Sequence, residues 1–182
     1  MDRVSVENLE KARFERGPMA GKALSYTVGR AANMTPVAGI IPRALRETAK
    51  EFLNPPLKCF RYLGIQKLAG EMPGWLECAP DPGTDLLEQA DMMENSGTGG
   101  AVFRNFFGDY LYEALEYYPR NTKLSEGAEL YRQAADLWSG IADLIKKAGK
   151  SGEQNYLQQA SEKCMLASVI EKKAMENFIS IL

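Results

Sequence analysis

The sequence predicts an all-α fold, an irregular multi-helix bundle that ends in a long antiparallel helical hairpin, and three observations carry that expectation. Apolar residues recur at i, i+3 and i+4 along most of the 182 residues. Period-2 strand patterns are absent after residue 6. Proline, glycine and capping residues divide the remainder into helix-length segments. A chain of this size fits one domain and can bury a core without disulfides or metals. Its 45% hydrophobic and 25% charged residues are ordinary for a folded globular protein.

The elements follow in order. Residues 1–34 read as a lead-in arm or linker: Val4-Ser5-Val6 suggests a short extended stretch, 7–16 a short helix and 17–21 a breaker. Residues 35–182 read as a single helical domain. Thr35-Pro36 supplies a cap and a proline at the first helical position, and Pro42 implies a short helix or bend before a second start near Ile41. Ala44, Leu45, Thr48, Ala49, Phe52 and Leu53 keep helical spacing until Asn54-Pro55-Pro56. Leu57, Phe60, Leu63 or Gly64, and Leu68 continue the rhythm to Met72, where Pro73-Gly74 stops it and Trp75 folds back over the helix end. Asp81 ahead of Pro82 caps a helix carrying Leu86, Leu87, Ala90 and Met93, which breaks over 95–100. The next helix spans about 100–118 and ends at Pro119.

Two long helices complete the chain. The first, near 125–148, carries Tyr131, Ala134, Trp138, Ile141 and Ile145 at helical spacing. The second begins at Ser151, where Ser151-x-x-Gln154 matches a capping box, and sets Leu157, Ala160, Cys164, Ala167, Ala174, Phe178 and Ile181 on one stripe. The turn over 149–152 is short enough to make the pair an antiparallel hairpin. Leu166, Val169 and Ile170 lie off the stripe, so this helix is either central or contacts a partner. At about 28 residues it would be about 42 Å long, more than a compact domain requires. A homodimer formed through the hairpin is therefore expected.

Several function classes are disfavoured. The chain has no histidine, which removes Ser-His and Cys-His nucleophile pairs, imidazole proton shuttles and His-based metal sites. A net charge of -2 without a basic block longer than Lys146-Lys147 or Lys172-Lys173 argues against nucleic-acid binding. No apolar run reaches membrane-spanning length, and the amino terminus, with Asp2, Arg3, Glu7 and Glu10, does not resemble a signal peptide. Three scattered cysteines suggest a reducing compartment, hence a cytoplasmic protein. Cys59 and Cys164 fall in helical apolar patterns and are expected to be small buried hydrophobes, whereas Cys78 is expected to be exposed. No catalytic residue, cofactor or metal is expected of this chain alone.

The most distinctive segment is Ser96-Gly97-Thr98-Gly99-Gly100, which runs straight into the aromatic helix that follows. A glycine loop opening a helix leaves several backbone N–H groups unpaired, with the positive end of the helix dipole above them. Two readings stay open: a tight helix-to-helix link whose glycines allow close approach, or a socket for an anionic or carbonyl oxygen built from Gly97, Thr98, Gly99, Gly100 and Arg104. Arg104 lies one turn into the helix in line with Gly108, which leaves room beside it. It is placed to hold a ligand carboxylate or phosphate, or to pair with Glu94, Asp109 or Glu113. No Gly-Lys-Ser/Thr follows the glycines, so a P-loop is not matched. The aromatic set Phe103, Phe106, Phe107, Tyr110, Tyr112, Tyr117 and Tyr118 suits a core or an interface better than a cofactor site.

The run Gly97-Thr98-Gly99-Gly100-x-x-Phe103-Arg104-x-x-Phe107-x-x-Tyr110-Leu111-x-Glu113-Ala114 resembles the carboxyl-terminal helical domain, of unknown function, of BtrH-type proteins. Leu9-x-x-Ala12-Arg13 resembles the junction after that family's first domain, and Ala134-Ala135-x-x-Trp138 its later helix. The resemblance implies a partner, an amino-terminal domain with a cysteine-peptidase-like fold that carries the nucleophilic Cys and its His. It also implies a parent protein that moves acyl groups from a carrier protein to an amine. This chain would then be a non-catalytic accessory half whose glycine loop and Arg104 touch the substrate or the partner domain. The competing expectation is a stand-alone helical dimerisation module with no ligand.

Overall fold

A computed structural model describes residues 4–17, 26–29, 35–95 and 99–181. The chain divides into two compact units, residues 1–34 and 35–182. In the first, helix α1 (Val6–Phe14) is capped by Ser5, whose hydroxyl accepts from the Asn8 backbone N–H at 3.2 Å, and none of its residues is buried.

The second unit is all-α among its described residues, in the order α2 (Val37–Leu53), α3 (Arg61–Glu71), a 3-10 turn (Met72–Gly74), α4 (Trp75–Cys78), α5 (Pro82–Asn95), α6 (Ala101–Tyr117), α7 (Thr122–Ser151) and α8 (Gln154–Ile179). Helices α7 and α8 form the expected terminal hairpin. Helices α2 and α3 pack on α8, and α5 and α6 pack on α7. The hairpin is thus the spine from which two cores are built. One gathers Ile65, Met72, Leu86, Trp138, Ile145 and Leu157 near the hairpin turn. The other gathers Leu45, Leu111, Leu124, Tyr131, Met175 and Phe178 at its open end.

Several boundaries depart from the sequence reading, each for a physical reason. Helix α2 runs unbroken through Pro42 and its N-cap position is Pro36. Proline removes the N–H that would bond the carbonyl four residues back, which here is that of Ala38. The Tyr118 hydroxyl donates to that carbonyl instead, so the orphaned acceptor is satisfied from 80 residues away. The rhythm read through Leu57 and Phe60 is a turn, closed by Phe60 N–H to Leu57 C=O at 3.1 Å, and α3 starts only at Arg61, whose φ is +58°. Cys59 lies in that turn and is exposed, contrary to its expected burial, while Cys164 is buried and Cys78 exposed.

Pro73-Gly74 tightens the chain into a 3-10 turn and does not end the helical path, which continues through Trp75 as α4. Asp81 caps α5 as expected: its carboxylate accepts from the Thr84 N–H at 3.3 Å and hydroxyl at 2.8 Å. These bonds hold the Asp81 carboxyl below its ordinary pKa. Helix α7 starts a turn earlier than read, because Asn121 accepts from the Leu124 N–H at 3.0 Å. Ser151 belongs to the end of α7, not to a capping box for α8. Its hydroxyl donates to the Lys147 carbonyl, and Gly152, at φ +71°, closes α7 with its N–H on the Ala148 carbonyl. Gln154 instead reaches the Pro73 carbonyl. No helix among the described residues is long and apolar enough to cross a membrane.

Candidate functional site

The glycine segment joins α5 to α6, two helices whose ends must meet closely. Gly97 and Thr98 lie outside the described residues. Gly99 has φ +114°, a region that side chains rarely adopt. A Cβ on Gly100 would stand 2.0 Å from the Met93 carbonyl oxygen, so only glycine lets the start of α6 lie against the last turn of α5. Both described glycines are therefore required by backbone geometry.

The start of α6 holds a carboxylate supplied by the chain itself. Glu94 Oε1 is 3.5 Å from the Ala101 N–H, and Glu94 Oε2 accepts from the Ser139 hydroxyl at 3.1 Å. An acidic group at a helix amino terminus meets the positive end of the dipole, so Glu94 ties α5, α6 and α7 together at this point.

Arg104 is engaged by partners that the sequence reading did not name. Its Nε donates to Glu171 Oε1 at 3.0 Å and its Nη2 to Glu171 Oε2 at 3.3 Å, a bidentate pair between α6 and α8. Its Nη1 donates to the carbonyls of Gly99 and Gly100. The guanidinium carbon stands 4.4 Å from the centroid of the Trp138 ring, whose Nε1–H donates to Glu171 Oε1 at 2.7 Å. The side chains of Arg104 and Glu171 are only 15% and 3% exposed. Of the expected partners, Glu94 bonds Ser139 and Asp109 pairs with Arg132. Gly108 makes room for Arg132, not for Arg104.

This cluster sits where the two cores meet. Trp138 belongs to one and Tyr131 to the other, and Glu171 interrupts the alanines of the inward stripe of α8 between Ala167 and Ala174. Burial, reinforced by the Glu171 charge, raises the Tyr131 hydroxyl above its ordinary pKa. The same two causes push the Cys164 thiol up to about 12. Beside the ion pair lies a shallow depression of about 210 Å³ lined by Thr48, Phe103, Phe107, Tyr131 and Met175. Both Glu171 oxygens and three guanidinium nitrogens already have partners, so an incoming carboxylate would have to displace Glu171.

Glu171 and Trp138 are the residues the sequence reading missed. A signal was present: Glu171 falls seven residues after Cys164 and seven before Phe178, on the stripe that faces the core. An acid at such a position requires a buried cation. Of the aromatics, Phe107, Tyr110 and Tyr118 pack against the second core. Phe103 and Phe106, one turn apart on one face of α6, are 52% and 64% exposed. Among the described residues no group of three or more His, Cys, Asp or Glu is gathered as a metal ion would need.

No curated protein and no solved structure matches the chain. A family model does match, over residues 7–178, and the chain belongs to that family, described as a domain of unknown function (DUF4872).

Proposed function

We propose that this chain is a non-catalytic helical accessory domain of a BtrH-like acyltransferase or amide-processing protein, and that the start of α6 docks an amino-terminal cysteine-peptidase-like domain. One observation carries the reading. Arg104 ties Gly99 and Gly100 to the hairpin, and Phe103 and Phe106, one turn apart on the same helix, project into solvent. Exposed aromatics on a rigid base are what an interface core uses, because they bury a large area at little cost in side-chain entropy. The glycine loop then acts as a scaffold that fixes this surface, and Arg104 as its anchor.

The test is calorimetric titration of the chain with the separately produced amino-terminal cysteine-peptidase-like domain from the same genome. Saturable binding is expected, weakened by at least about tenfold in F103D/F106D with unchanged helical circular dichroism. Wild-type chain that does not bind, or a double variant that binds equally well, would overturn the reading.

The second reading, a stand-alone dimerisation module without ligand, is favoured by Glu94 standing at the α6 start, where an external anion would otherwise sit. Intact mass of the native gene product separates the two. A value well above 20.2 kDa supports the accessory domain, and one near it supports the module.

A further inference from the structure

Helix α8 buries one face against α7, α2 and α3, yet its opposite face is not polar throughout. Leu166 and Val169 are 49% and 54% exposed there, with Met165 beside them at 43%. Glu162 and Lys173, also exposed, stand one turn beyond on either side. Along the helix Glu162, Leu166, Val169 and Lys173 follow one another at steps of four, three and four residues. At 3.6 residues per turn they fall within a sector of about 60°. That is the spacing of a helix-pairing seam, which buries alternating steps of three and four.

The seam is also a palindrome in charge. A two-fold axis through its midpoint, between Ala167 and Ser168, would run a second α8 antiparallel to the first. Leu166 would then face Val169 of the second copy, and Glu162 would face its Lys173. Because a two-fold interface repeats every contact, each pairing occurs twice. One layer further out Gln159 would face Glu176, so the seam brings no like charges together. A parallel pairing would instead set Glu162 on Glu162 and Lys173 on Lys173. The sequence thus matches one orientation of one partner, a second copy of itself.

We infer that the outer face of α8 is a homodimer interface, formed antiparallel about a two-fold axis near residues 167 and 168. It goes beyond the function proposed above and uses a different face from Phe103 and Phe106, so either can fail alone.

Sedimentation equilibrium of the full chain across the micromolar range tests it. The wild type is expected to show a monomer–dimer equilibrium. Glu162→Lys should weaken the dimer by about tenfold, through two lost pairs and two like-charge contacts. Adding Lys173→Glu to it should restore wild-type affinity, because the palindrome is then rebuilt with signs reversed. Leu166→Asp should weaken it by roughly a hundredfold, since the side chain is lost from the interface twice. The charge-swap pair lies on exposed positions and keeps the test sound if Leu166→Asp disturbs folding. A strictly monomeric wild type, a dimer indifferent to Glu162→Lys, or a double swap no better than the single would overturn the inference.

Discussion

Replacing Glu171 by Ala removes the carboxylate that joins α6, α7 and α8, and its cost can be worked from the contacts. Three bonds are lost, two from Arg104 at 3.0 and 3.3 Å and one from Trp138 at 2.7 Å. Removing one partner of a buried pair costs about 3–5 kcal/mol, because the remaining charge stays desolvated. The unpaired indole N–H falls within the same penalty, since both groups lose the same acceptor. Arg104 keeps the carbonyls of Gly99 and Gly100 and the face of Trp138, which places the loss at the lower end, about 3–4 kcal/mol. For a protein of this size that lowers Tm by roughly 6–16 °C. Urea unfolding followed by circular dichroism and tryptophan fluorescence measures it directly. A double-mutant cycle of Arg104→Met and Glu171→Leu should show coupling of about 2 kcal/mol or more, with the double variant less destabilised than the sum of the singles. A Glu171→Ala cost below about 1 kcal/mol, or strict additivity in the cycle, would refute the view that this pair holds the junction of the two cores.

Further outcomes follow from packing and burial. Gly127→Ala in α7 should destabilise by about 1–2 kcal/mol despite the better helix former, because its Cβ would lie 2.2 Å from a ring carbon of the fully buried Phe178. Gly70→Ala at the end of α3, where a Cβ meets nothing within 4 Å, should stabilise by about 0.5–1 kcal/mol; urea midpoints moving in the same direction for both would contradict the packing described. Cys59 and Cys78 should react at once with a thiol reagent, and Cys164 only on unfolding. Burial and the Glu171 charge raise the Cys164 thiol to about 12 in the folded chain from its ordinary value near 9, so the folded state favours the neutral thiol. Its contribution is complete below about pH 9 and is lost as pH rises toward 12, so Cys164→Ala should flatten the alkaline fall in stability across that window.

How much of this was legible beforehand depends on the range of the interaction. Asp81, Pro82 and Thr84 announce the start of α5 because cap and helix lie within four residues of one another. The helical apolar stripes of α7 and α8 announce the hairpin for the same reason. The glycine segment was legible as a special backbone, and Gly99 and Gly100 each have a steric need for glycine. Where the local signals competed, the backbone decided: Ser151 could cap α8 or close α7, and Gly152 in the left-handed region settles it for α7.

The sequence by itself determined the all-α class, the order of the long helices and the hairpin, since 3.6-residue periodicity and capping act between neighbours in the chain. Only the tertiary structure decided what Arg104 does, which tyrosine satisfies the carbonyl freed by Pro42, and that Cys59 faces solvent. The partners of Arg104 and Ala38 stand 67 and 80 residues away, and the helical rhythm around Cys59 yields to a turn. A charge or an orphaned acceptor must be satisfied when buried, but packing chooses the group that reaches it.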